Sequence, residues 1–120
     1  MSSKPDSYMP FYWKDFWEAV KGWPDCAIVG YQMALTYYWF HNHCEGLKDD
    51  EQTLRRICSR EKDEWNSCRE LIFDNDKFFR LDVNGLWQQR RAKELWDISN
   101  ARYEAAVQRA TAGAAKRWNK

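Results

Sequence analysis

The chain has 120 residues, enough for one domain with a sizeable core. Nineteen Lys and Arg stand against eighteen Asp and Glu, so a net charge of +1 excludes both a strongly basic nucleic-acid binder and an acidic nucleic-acid mimic as readings of net charge. Eight Trp, six Tyr and six Phe against five Gly and three Pro exclude low-complexity disorder, because disordered chains are poor in aromatics.

Residues 1–8 read as a flexible N-terminal arm. No basic patch leads there into an apolar run, so no secretory leader is expected. Met9 to Trp13 suits an extended stretch, and Asp15 can cap a helical turn running to about Lys21. Gly22-Trp23-Pro24 ends that turn, and Asp25 is placed to cap the next helix. From Cys26 to about His43 the sequence is apolar nearly all round, which predicts a central helix enclosed by its neighbours. Its apolar run, broken by Gln32 and Thr36, falls short of the ~20 residues a membrane span needs. The reading is a soluble, cytoplasmic protein, in which Cys26, Cys44, Cys58 and Cys68 are buried free thiols.

Asp49 or Asp50 can cap a short helix carrying Leu54, Ile57 and Cys58, with Gln52 at capping-box spacing from Asp49. Ser59 is then placed to cap a second helix with Trp65, Cys68, Leu71 and Ile72 along one face. Phe78 to Val83 is strand-like, and Asn84-Gly85 before Leu86-Trp87 predicts a hairpin with both turn residues at positive φ. Two short helices followed by a hairpin predict a mainly α (α+β) fold, a winged-helix-like body over residues 9–88. Residues 89–120 read as a long Ala-rich C-terminal helix, longer than a compact domain can cover. Trp96, Tyr103 and Ala110 recur every seven residues, as do Asn100, Val107 and Ala114, a narrow seam that predicts a homodimer or a partner helix.

The near-neutral total hides a division. Residues 1–86 hold 11 basic and 15 acidic side chains, whereas residues 87–120 hold 8 and 3. The basic helix residues Arg90, Arg91, Lys93, Arg102, Arg109, Lys116 and Arg117 are expected to contact phosphates, together with Arg55, Arg56 and Arg60 near the first short helix. The second short helix is mixed to acidic, unlike an ordinary major-groove reader. Asp63, Glu64 and Glu70 there, with Trp96 and Tyr103, are the expected contacts of a protein partner. His41-Asn42-His43-Cys44 reads as a polar helix end, since zinc needs four converging ligands. No metal or cofactor is expected, and no phosphate loop or nucleophile motif marks an enzyme. Trp13, Trp17, Trp39, Trp65 and Trp96 fit core spacing, which leaves Tyr8, Tyr12, Trp23 and Trp118 as aromatics that could stack on bases.

Several of these segments together resemble a known family. Phe11-Tyr12 with Asp15-Phe16, Gly30-Tyr31 leading to Leu35 and Tyr38-Trp39, and Leu47-Lys48-Asp49-Asp50 occur in that order. Glu64-Trp65, Phe78-Phe79-Arg80-Leu81, Gly85-Leu86-Trp87 and Arg90-Arg91 follow. The chain resembles, over about residues 9–118, the YdaU-like family of prophage-encoded proteins. The resemblance implies a winged-helix domain, phage or prophage origin and a DNA-related, replication-associated role, without a catalytic residue to carry over. It departs from the family pattern at Trp23 to Ala27, and at Lys120, where many members continue. Two functions follow as expectations: a small non-enzymatic DNA-binding protein, or a phage-encoded interaction module that binds and inhibits or redirects a host or defence complex.

Overall fold

The computed structural model describes residues 4–73 and 78–118, with side chains as far as Ala114. The elements are a 3-10 turn (Pro5–Ser7), α1 (Trp13–Val20), α2 (Asp25–Phe40), β1 (Leu47–Lys48), α3 (Glu51–Ile57), α4 (Lys62–Ile72), β2 (Phe79–Leu81), β3 (Leu86–Gln89) and α5 (Arg90–Trp118). The expected mainly α (α+β) fold is present, with a winged-helix-like body and a long C-terminal helix. The sheet is antiparallel in the order β1-β3-β2, with Leu47 opposite Trp87 and Leu81 opposite Trp87 on the other side. Two-residue β1 was not expected. It is too short for any alternation to register, and its pairing with β3 is a tertiary fact.

Central α2 buries Ala27, Gly30, Tyr31, Ala34, Leu35, Tyr38 and Trp39. The small residues bring neighbours close: a Cβ on Gly30 would lie 3.0 Å from Ile72 Cδ1 of α4. Contrary to expectation, α2 is not enclosed all round. Val29, Met33 and Tyr37, four residues apart, form a partly exposed outer stripe. The helix also stops at Phe40 rather than His43. Asn42 folds its amide onto Gly46, accepting from Gly46 N at 2.7 Å and donating to Gly46 O at 3.0 Å, so the chain turns towards β1.

Local caps differ from expectation in instructive ways. Helix α1 begins two residues before Asp15, and α2 begins at Asp25 itself after Pro24; neither Asp15 nor Asp25 is the capping residue. At α3 the cap is Asp50, whose carboxylate accepts from Thr53 N at 3.2 Å and from the Thr53 hydroxyl. Asp49 instead accepts from Trp87 Nε1 at 3.0 Å, and Gln52 is not part of the cap. Ser59 caps nothing. It takes a left-handed conformation (φ 54°) in the turn, and α4 starts at Lys62 after Glu61.

In the hairpin only Gly85 has positive φ (76°), not Asn84. The Asp82 carboxylate accepts from Asn84 N at 2.8 Å and Leu86 N at 2.9 Å, and Gly85 N donates to Asp82 O at 3.1 Å. This is a type I turn closed by a left-handed glycine, which an Asp in first position favours over the two-residue turn. The Leu86 N–H, the Gln88 side-chain amide at 3.0 Å and the Asn84 N–H together hold the Asp82 carboxyl below the usual carboxylate range. Strand β2 ends at Leu81, so Val83 sits fully exposed at the tip.

The N-terminal segment is anchored rather than loose. Pro5 is buried, and Trp39 Nε1 donates to Pro5 O at 2.8 Å; residues 1–3 lie outside the described residues. Of the tryptophans expected in the core, Trp39 and Trp65 are buried and Trp96 is partly so. Trp13 and Trp17 are 59% and 46% exposed, because α1 covers the body with Phe16 and Val20 alone. Trp87 takes the core place that the spacing argument gave to them.

Three cysteines are fully buried, and burial pushes the Cys44, Cys58 and Cys68 thiols up to about 12. Cys26 is only partly buried, with its Sγ 3.0 Å from Cys68 Sγ. A thiolate attacks a disulfide reagent only where the two can meet, so partly exposed Cys26 is expected to react quickly in the native protein and the three buried thiols only after unfolding. Thiol titration with and without denaturant checks this. Four equally fast thiols would contradict the described burial.

Candidate nucleic-acid interface

The α3–α4 pair and the hairpin are where a winged helix ordinarily meets DNA, yet Arg55, Arg60 and Arg69 there are engaged internally. Arg60, its side chain 19% exposed, donates from Nε to Cys58 O at 3.1 Å and pairs with Glu64 at 3.3 Å. Arg55 Nη1 donates to Arg60 O at 3.3 Å. Arg69 pairs with Glu51, whose other oxygen accepts from Trp65 Nε1 at 3.3 Å. Arg56 is exposed beside Met33, Tyr37 and His41. Along α4, Asp63, Glu64 and Glu70 face solvent, so this helix presents an acidic surface. The hairpin tip from Asp82 to Gly85 carries no cation.

Helix α5 divides its charges by face. Its 29 residues reach about 44 Å at ~1.5 Å per residue. The first turns pack on the 3-10 turn, α2 and β3, and the molecule measures 67 × 30 × 23 Å. Glu94 and Asp97 are met one turn away by Arg90 at 3.2 Å and Lys93 at 3.4 Å. Glu104 lies on the same side and accepts from Asn100 at 3.3 Å. At ~100° per residue, Arg91, Arg102 and Arg109 fall within about 20° of one line on another face, spread over about 27 Å. All three are exposed, and none has a carboxylate within 4.0 Å among the described residues. The Arg91 guanidinium lies 5.3 Å from the centre of the Tyr12 ring. Lys116 and Arg117 stand on the last turns of α5, and their side chains lie outside the described residues, as does that of Trp118.

The expected seam begins inside the body. Trp96 packs edge-on against Trp39 at 5.1 Å and face-on against His43 at 5.2 Å, so it is spent on intramolecular packing. Tyr103 and Val107 carry the seam onto the projecting part of α5, where Val107 is exposed. His41 packs against Tyr37, while His43 lies 3.5 Å from Asp6; the two imidazoles turn to different neighbours.

A pocket of about 240 Å³ lies at the head of the arginine line. It is walled by Phe11, Tyr12 and Phe16, floored by Tyr31 and Gln89, and rimmed by Asp15 and Arg91. Phe16 and Tyr31 lie nearly parallel, 5.8 Å apart. Gln89 is fixed by accepting from Ala92 N at 2.7 Å and donating to Tyr31 Oη at 3.2 Å. Burial pushes the Tyr31 hydroxyl up to about 12, so it keeps its proton. No family model, no curated protein and no solved structure matches this chain.

Of the residues expected to contact phosphates, the fold brings Arg91, Arg102 and Arg109 into one line that meets no carboxylate among the described residues. It leaves Arg56 apart, and engages Arg55, Arg60, Arg90 and Lys93 with internal partners. Sequence reasoning missed the pocket, because Asp15, Tyr31 and Gln89 come from three distant segments and no spacing links them.

Proposed function

We propose that the chain is a small non-enzymatic DNA-binding protein of phage or prophage origin, acting in the bacterial cytoplasm, with α5 as its phosphate-gripping element. The observation that carries this reading is the line of Arg91, Arg102 and Arg109, exposed and without a carboxylate within 4.0 Å among the described residues, on a helix that projects from an acidic body. A guanidinium with no carboxylate beside it keeps its full charge for a phosphate, whereas the exposed Arg90–Glu94 and Lys93–Asp97 pairs offset theirs in part. The resemblance to prophage-encoded winged-helix proteins supports the same reading.

Reversing Arg102 and Arg109 to Glu is expected to weaken binding to duplex DNA by about tenfold per arginine at ~0.1 M salt, and to flatten the log–log salt dependence by ~0.9 per lost contact. Both side chains lie outside the core, so the fold should be unaffected. Gel shift and a salt series measure this; no duplex binding by the wild type at low salt would sink the reading.

A second reading is supported by the carboxylates of α4. Asp63 and Glu70 are exposed with no cation within 4.0 Å among the described residues, which suits a basic patch on a host or defence complex. Under it, reversing Asp63 and Glu70 to Lys abolishes complex formation while Arg102→Glu leaves it intact.

A further inference from the structure

The pocket and the arginine line share Arg91, which stands at the rim of one and the head of the other. The walls are aromatic rings, the surfaces on which unpaired bases stack. Tyr31, 5% exposed, has a hydroxyl proton that no described residue accepts, and it points the site towards a carbonyl oxygen. The volume of about 240 Å³ lies just below the ~300 Å³ at which drug-sized sites begin, so it suits one small flat ring. Thymine offers such a ring with carbonyl acceptors.

We infer that the pocket between α1 and the start of α5 takes up one unpaired pyrimidine base of a DNA strand whose phosphates follow Arg91, Arg102 and Arg109. This rests on the DNA reading above and makes single-stranded DNA, or a frayed end, the preferred form. The base enters between Tyr12 and Phe16, and Arg91 meets the phosphate beside it. Gln89, locked by its two hydrogen bonds, holds Tyr31 in place and acts as a positioning residue.

Anisotropy titrations with a labelled oligothymidylate and with a duplex of the same length test this. The wild type is expected to bind the single strand more tightly. Tyr12→Ala, which removes a half-exposed ring, should weaken oligothymidylate binding by about tenfold or more, and duplex binding by less than about twofold through the ring that Arg91 lies over. Ala19→Phe places a ring into the pocket from an exposed position of α1, and should erase the single-strand preference without touching the arginine line. Circular dichroism and the melting temperature confirm that both variants fold. Equal wild-type affinity for both DNA forms, or an Ala19→Phe variant that keeps the preference, overturns the pocket and leaves the DNA reading standing. Binding to neither form overturns both.

Discussion

Trp87→Ala is expected to destabilise the protein by about 3–5 kcal/mol, the usual cost of emptying a buried tryptophan site. Trp87 sits on the middle strand of the sheet, 2% exposed, between Leu47 on one side and Leu81 on the other. Its ring meets Phe73 edge-on at 5.2 Å, and its Nε1 donates to Asp49 at 3.0 Å beside the α3 cap. One truncation therefore opens a cavity and loosens the junction of sheet and helix. Against the ~5–15 kcal/mol typical of a domain, the loss lowers the melting temperature by roughly 10–20 °C. Trp17→Ala, at a 46% exposed site, is expected to cost under ~1 kcal/mol. Thermal melts of both variants check the contrast, and equal shifts would contradict the described burial.

Gly46→Ala is expected to cost about 2–6 kcal/mol for two separable reasons. Gly46 has φ 124°, where a side chain brings strain of about 1–3 kcal/mol. A Cβ there would also lie 2.7 Å from Leu86 Cβ and 2.6 Å from Gln88 Nε2. Leu86 Cβ is fixed by the β1–β3 pairing, so relief requires moving the strand, at about 1–3 kcal/mol. Gly85→Ala isolates the backbone part, because Gly85 has φ 76° and nothing within 4 Å of its Cβ position. Its expected cost is ~1–2 kcal/mol. Urea midpoints at unchanged slope measure both, and their difference reports the crowding between β1 and β3.

Much of the architecture was legible before any coordinates. The apolar run of α2, the punctuation at Gly22-Trp23-Pro24 and the Leu54/Ile57 and Trp65/Cys68/Ile72 faces are local signals, and they place α2, α3 and α4 correctly. The hairpin and the long C-terminal helix were legible for the same reason. Caps were less so, because several polar residues compete at each helix start and the choice depends on what else claims them. Asp49 was free to cap α3 until Trp87 took it. The tryptophans show the same limit: Trp13 and Trp17 fit a buried spacing yet stay exposed while Trp87 is buried, because what is covered depends on how α1 lies on the body.

By itself the sequence determined the elements and the concentration of positive charge in the last third of the chain, since both are properties of neighbouring residues. Which of those charges find a carboxylate also follows from one-turn spacing along a helix, whereas the tertiary structure decided which part of α5 the body covers. Arg60 is folded back onto Cys58 and Glu64, Arg90 and Lys93 find carboxylates one turn away, and Arg91, Arg102 and Arg109 are left in a line without one among the described residues. The pocket too exists only in three dimensions. Its rings and polar groups lie on α1, α2, β3 and α5, and a cavity is a property of surfaces that meet rather than of any segment that supplies them.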